Sequence, residues 1–310
     1  MRKVTLFMAS AFMMLFIAAC GSDDDERAAN EGREQTTVRN DNKNPTTRKE
    51  YARLEFPRLK GGDNNLVIIH STSDYGVNYS LEWDVAKKSQ RWSCYEMYES
   101  NSVTNTSRYY GDPQYPADPN LPSIGWTPEN DPFYSTGFDH GHIVASAERL
   151  CSKEANIQTF YLTNMQPMKN AFNSKLWAKM EQQIWKTWNR PSFRDTLYVC
   201  KGGTIDRPDQ ILGYTNRDKT IHQERGNGTI IPKYFFMAVL CKNKQGYKAM
   251  AFWVEHLTDG VDHSGDNLKE YMISIDQLEE LTGIDFFCNL PDDVERQVED
   301  NMSPAVWGFK

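Results

Sequence analysis

The order in which strand-like and helix-like stretches follow one another is what most limits the folds open to this chain. Apolar runs recur at residues 66–70, 77–83, 92–98, 196–200, 230–241 and 247–254, each bounded by Gly, Pro, Asn or Asp, and runs bounded in this way read as strands. Between the third and the fourth lies a long stretch without strand character. It holds a helical pattern over residues 174–188, where Leu176, Trp177, Met180, Ile184 and Trp188 return at helix spacing. Two shorter helices are expected at 275–281, ended by Gly283, and at 292–300, begun after Pro291. Strands and helices are segregated and no 20- to 50-residue unit repeats. The expectation is therefore an α+β domain over residues 61–310, an antiparallel sheet core with flanking helices. With 39% hydrophobic and 12% aromatic residues among 310, the chain has enough apolar surface for a substantial core.

The first sixty residues lack this pattern. Arg2 and Lys3 precede an apolar run over residues 4–19 that ends in small residues ahead of Cys20. The run is shorter than the roughly 20 residues of a membrane span and reads as a secretory signal peptide, residues 1–20, with Cys20 where a lipoprotein carries its acyl chains. Export and lipid anchoring of Cys20 in an outer membrane are expected. The acidic run Asp23-Asp24-Asp25-Glu26 resembles a surface-export tract and reads equally as a solvated spacer. Residues 21–60, poor in large apolar side chains, are expected to form a disordered tether. Beyond Cys20 stand Cys94, Cys151, Cys200, Cys241 and Cys288, an odd set without a CxxC spacing. At least one thiol is then free, and a thiolate zinc site is disfavoured. The formal charge is −7, and −9 once Arg2 and Lys3 leave with a signal. That sign argues against gripping a polyanion over a wide surface, so a nucleic-acid substrate requires a local basic cleft and a metal.

The densest polar constellation is Gly137-Phe138-Asp139-His140-Gly141-His142-Ile143. Glycines there let the backbone turn and let a large group approach. An imidazole takes a proton near neutral pH and, fixed by a carboxylate, suits a general base. By itself the His-x-His pair reads equally as two metal ligands, or as one functional and one structural imidazole.

Downstream come Phe160-Tyr161-Leu162-Thr163-Asn164-Met165-Gln166-Pro167-Met168, then Ala171-Phe172-Asn173-Ser174, then Trp177-Ala178-Lys179-Met180-Glu181. Together these segments resemble the DNA/RNA non-specific endonuclease family, the ββα-metal nucleases. The family signature is Asp-Arg-Gly-His, a later Tyr-x-x-Asn with Pro, an Asn opening a helix, and a Glu eight residues on. The resemblance extends over residues 66–298, including Ile230-Ile231-Pro232 and the segment 277–291. It implies the ββα-metal nuclease fold, cleavage of DNA and RNA with little regard for sequence, and Mg²⁺ as cofactor, for which Mn²⁺ substitutes. It further implies His142 as general base, Asn173 as metal ligand, Glu181 as a carboxylate of the metal's water shell and Asn164 as a supporting active-site amide. Asp139, His140 and Gly141 are supporting neighbours in this reading. Arg108, in Ser107-Arg108-Tyr109-Tyr110, matches the family's functional arginine, and a guanidinium suits phosphate oxygens and transition-state charge.

Asn173 and Glu181 would lie about 12 Å apart along a helix rising 1.5 Å per residue. Both serve one ion only if Asn173 stands just before the first turn and Glu181 acts through a metal-bound water. Two departures from the signature stand out: His140 replaces the arginine before Gly-His, and Trp185 replaces an arginine expected four residues after Glu181, with Lys186 or Arg190 as substitutes. His70, His222, His256 and His263 have no spacing that joins them to the cluster. Trp177, Trp185 and Trp188 read as core rather than as base-stacking surfaces. Two other readings remain: a zinc hydrolase with His140 and His142 as ligands, and a non-catalytic surface binding lipoprotein on the same scaffold.

Overall fold

A computed structural model describes residues 39–121, 125–300 and 302–310. The expected signal peptide, Cys20 and residues 21–38 lie outside the described residues. The strands, in chain order, are β1 (Asn65–Thr72), β2 (Gly76–Asp84), β3 (Ser89–Tyr98), β4 (Asp139–His142), β5 (Met165–Met168), β6 (Thr196–Gly203), β7 (Ile211–Tyr214), β8 (Ile230–Pro232), β9 (Tyr234–Asn243), β10 (Gly246–Glu255) and β11 (Met272–Ile273). Seven form one sheet in the order β1-β2-β3-β6-β9-β10-β11, antiparallel throughout. β4–β5 and β7–β8 are two-stranded ribbons.

Both faces of the sheet are covered, which explains its nearly continuous apolar strands. Successive strand residues point to opposite faces, so Leu197 and Val199 enter one core while Tyr198 and Cys200 enter the other. The first core takes the side chains of a long helical rod: Phe172, Leu176, Trp177, Met180, Ile184 and Trp188 are all buried there. The expected helix thus exists, but begins earlier and is not uniform. Wide-turned stretches at Phe172–Trp177 and Gln183–Trp188 flank a short α-helical segment, Ala178–Gln182. The second core takes Ile275 and Leu278 of the helix Ile275–Thr282 and Val298 of the helix Asp292–Asp300. The first of these begins with a Ser274–Gln277 capping box and ends at Gly283, whose φ of 68° is the left-handed conformation that glycine adopts without strain.

The tether expected over residues 21–60 is corrected for its second half. Phe56 is wholly buried against Trp92, with ring centroids 5.7 Å apart. Asn44 donates to Pro57 O at 2.9 Å and accepts from Leu59 N at 3.0 Å. Few apolar residues suffice here because the sheet and the C-terminal segment provide a ready surface. The strand expected at 230–241 is split at Lys233, and its two parts belong to different sheets. Pro232 has no N–H with which to continue a ladder. The stretch expected to be strand-free contains β4 and β5, too short and polar to show a period. All five described cysteines are buried and free.

Candidate active site

The chain between β3 and β6, neighbours in the sheet, is a long excursion that carries every candidate site residue from Arg108 to Glu181. Its centre is the β4–β5 ribbon, with Asp139 opposite Met168 and His142 opposite Met165. Gly141 is required here by space. A Cβ on it would lie 2.6 Å from Gln166 O and closer still to Met168, so any larger residue pushes the two strands apart. The buried Gln166 fastens the ribbon to the sheet, donating to Gln90 O at 3.1 Å and accepting from Gly203 N at 2.6 Å. Trp177 Nε1 donates to His142 O at 3.1 Å and ties the helical rod to the same strand.

On β4 the side chains of residues 140 and 142 share a face, and both line a cleft of about 360 Å³ together with Arg108, Tyr115, Asp139 and Asn173. His142 Nδ1 lies 3.3 Å from His140 O. A carbonyl only accepts, so Nδ1 carries the proton and Nε2 presents a lone pair. Nε2 is shielded from solvent and has no partner among the described residues, a costly state for a buried acceptor unless a water or a substrate completes it. Burial pushes the ring's basicity down to about 3, with the nearby Arg108 guanidinium acting in the same sense. His142 is therefore neutral at physiological pH.

Asn173 is oriented by its neighbour. Its Nδ2 donates to Asp139 Oδ2 at 3.0 Å, and Asn170 Nδ2 donates to the same oxygen at 2.9 Å. That arrangement turns Asn173 Oδ1 away from Asp139, and it receives no hydrogen bond from the described residues. Asn173 lies inside the first turn, its N–H donating to Lys169 O at 2.8 Å, rather than before it as expected. The wide turn that follows changes the geometry that made the expected placement necessary. With i→i+5 bonding, a step of four residues is closer to a full turn, which brings Asn173, Trp177 and Glu181 toward one face.

Glu181 and Arg108 converge on the same region. Arg108 stacks 4.7 Å from the centroid of Phe160, whose edge-to-face partner at 4.8 Å is His142. Burial raises the Glu181 carboxyl, and the Lys201 ammonium 3.8 Å away opposes the rise. Glu181 Oε1 is likewise buried and has no hydrogen-bond partner among the described residues. Lys201 and Glu148, both 0% exposed, form a pair at 2.8 and 2.9 Å, and Tyr95 OH donates to Glu148 at 2.6 Å. The cation beside Glu181 thus comes from β6 and not from the helix. Lys186 and Arg190, the expected substitutes, are tied to Gln182 Oε1 and to Lys186 O and do not line the cleft. Nothing in the sequence around Lys201 marks it as more than a strand lysine.

Two further expectations are corrected. Asn164 is not a cleft amide: fully buried, it donates to Val144 O at 2.9 Å and Thr159 O at 2.7 Å and accepts from Val144 N at 3.0 Å. It fixes the chain leaving β4 and so acts on His142 only through the backbone. His140 is unsuited to ligation through Nε2, which is 2.8 Å from Asp131, and its ring stacks on Tyr115 at 3.7 Å. Among the described residues, no three-membered metal-binding group of His, Cys, Asp and Glu includes either histidine, which leaves the zinc hydrolase reading without a donor set. The other histidines lie outside the cleft. The most informative is His256, which accepts from Lys169 N at 2.9 Å and so supports the start of the rod. Trp177 and Trp188 are core.

The donor set fits Mg²⁺. A carboxamide oxygen in a cleft that also holds the Asp139 carboxylate offers the hard oxygen ligands this ion takes, and Mg²⁺ keeps most of its waters.

Comparison with known proteins bears on the family and the fold. The model of the DNA/RNA non-specific endonuclease family matches residues 67–293. The chain is 25% identical over 222 residues to the mitochondrial nuclease EXOG of Xenopus laevis, a match covering 70% of this chain and 58% of that protein. It is 26% identical over 227 residues to a nuclease of Nostoc sp., covering 71% and 75%, and 24% identical over 254 residues to a nuclease of Serratia marcescens, covering 81% and 86%. A solved chain from the crystal structure of the EndoG/EndoGI complex shares the fold, with a TM-score of 0.57, 18% identity and coverage of 75% and 90%. The match to the family model over most of the folded domain leads to one conclusion: this chain belongs to the DNA/RNA non-specific endonuclease family, and its α+β fold is that of the ββα-metal nucleases.

Proposed function

We propose that the protein is an endonuclease that hydrolyses phosphodiester bonds of DNA and RNA without regard to sequence. The observation that carries this reading is the His142 ring, whose Nδ1 is fixed by His140 O while its Nε2 has no partner among the described residues, in a cleft that also presents Asn173. Nε2 takes a proton from the attacking water. The water oxygen bonds to phosphorus as the P–O3′ bond breaks, leaving a 5′ phosphate and a 3′ hydroxyl. Arg108 meets the phosphate oxygens. Asn173 Oδ1 would hold Mg²⁺, with Glu181 on one of its waters, and the ion supplies polarisation of the phosphate and charge for the leaving oxygen. No ribose hydroxyl takes part, and contacts to the backbone alone carry no sequence information.

The test is digestion of plasmid and of RNA with Mg²⁺, with Mn²⁺ and with EDTA, by wild type, His142→Ala and Asn173→Ala. Loss of the base lowers the rate by about 10²- to 10⁴-fold, and EDTA abolishes cutting. Undiminished cutting by both variants overturns the assigned roles.

We further propose export and anchoring through a lipid on Cys20. The support is the arrangement of Arg2, Lys3, the apolar run and the small residues before Cys20. Metabolic labelling with a palmitate analogue tests it, and label that persists in Cys20→Ala refutes it.

A further inference from the structure

The catalytic cleft has a larger neighbour. A cavity of about 830 Å³ lies between the β2–β3 turn, the segment before β4 and the β7–β8 loop. Tyr134 lines both cavities, and the bond from Asp131, in the wall of one, to His140, in the wall of the other, joins them.

The charge along this path is unlike that of the chain as a whole. Lys88, Arg217 and Arg225 line the larger cavity. Lys169 and Lys219 stand at Gly137, between Thr136 of that cavity and Phe138 of the cleft: Lys169 Nζ donates to Gly137 O at 3.2 Å, and Lys219 Cβ would be 3.5 Å from a Cβ at Gly137. None of these five cations is in an ion pair with a described residue. Lys88 lies 5.0 Å over the Trp126 ring, and Arg225 donates to Ala86 O at 2.6 Å. Arg217 has no hydrogen bond to a described residue. In a chain of net charge −7, five neighbouring cations left without carboxylates are a local excess. Of the carboxylates that line the larger cavity, Asp131 is taken by His140, which leaves Glu129. Where the two cavities meet, Tyr134 is 68% exposed, beside Ser135 at a φ of 61°. An exposed aromatic face bordered by cations is the surface that stacks a base while its phosphates are held.

We propose that this cavity is a second subsite, which receives the nucleic-acid strand as it leaves the catalytic cleft, with phosphates on Arg217 and Lys219 and a base on Tyr134. The proposal rests on the nuclease reading above, and its test separates the two. Binding of fluorescein-labelled single-stranded DNA, 4 or 20 nucleotides long, is measured by anisotropy across a salt series, with His142→Ala as the parent. In the parent carrying Arg217→Ala and Lys219→Ala, both exposed loop positions, affinity for the long strand falls at least tenfold. The salt slope falls by about 0.7 per lost phosphate contact, and affinity for the short strand changes at least fivefold less. Unchanged affinity and slope for the long strand overturn the subsite and leave the nuclease reading intact. A parent that binds neither strand at low salt overturns both.

Discussion

A single backbone carbonyl, that of His140, divides the labour of the two nitrogens of the His142 ring, one holding the ring and the other left open. The same economy of contacts governs Lys201, buried without any solvent and satisfied by Glu148 and Glu181. Removing one member of a buried pair strands the other, so Lys201→Met lowers stability by about 3–5 kcal/mol. Adding Glu148→Gln to Lys201→Met restores part of the loss, as followed by urea denaturation, because the Glu148 charge is no longer stranded and only the Glu181 carboxyl remains without its cation. If the double variant is no more stable than the single one, the pair is not the source of the cost. At this scale His142, Asp139, Asn173 and Glu181 were legible, because their chemical types stand at the intervals of a known motif. Lys201 and Asp131 were not legible: Lys201 reaches the site through a contact 53 residues away in sequence, Asp131 through a loop of no regular period, and neither differs in its local setting from a surface charge.

At the scale of elements, the site depends on a four-residue strand held against another of equal length. The close approach at Gly141 makes the ribbon intolerant of a side chain. Gly141→Ala is expected to cost about 1–3 kcal/mol through overpacking and to lower nuclease activity at least tenfold, while far-UV circular dichroism stays that of the wild type. Activity equal to wild type at full stability would show that β4 shifts without moving His142. The helical rod was readable from its apolar period, which burial against a sheet enforces. Its wide turns were not readable, since Leu176, Trp177, Met180, Ile184 and Trp188 recur at intervals of three and four that an ordinary amphipathic helix also shows.

For the whole molecule, the packing of residues 39–60 makes the N-terminal segment part of the fold. Phe56→Ala should cost about 3–5 kcal/mol, measured as a lower urea midpoint at constant slope, whereas a segment that only tethers would show no change. Proton binding acts across the molecule in two opposing directions. Burial holds His142 near 3 and His256 near 4, below the ordinary value of 6.5. The unfolded chain therefore takes up these protons first, and the stability present above pH 6.5 is lost as pH falls toward 4. Burial pushes Glu279 up to about 8 and Glu299 up to about 9. Their contribution is full below the ordinary carboxyl range and is lost as pH rises through 8 to 9. Glu299→Gln should accordingly stabilise the protein relative to wild type at pH 8.5 and have little effect at pH 4.5. A constant difference between those two pH values would refute the raised carboxyl.

The sequence by itself determined the class of fold, the places of the long strands and helices, and which polar residues gather in the candidate cleft. Each of these is written in a local period or a short spacing that burial and chemistry impose on the chain directly. Tertiary structure alone decided that Asn164 acts on the backbone, that the cation beside Glu181 comes from β6, and that a polar N-terminal segment is ordered. These outcomes depend on which surfaces the folded sheet brings within a few ångströms of one another, and no local pattern encodes a contact between residues so far apart in the chain.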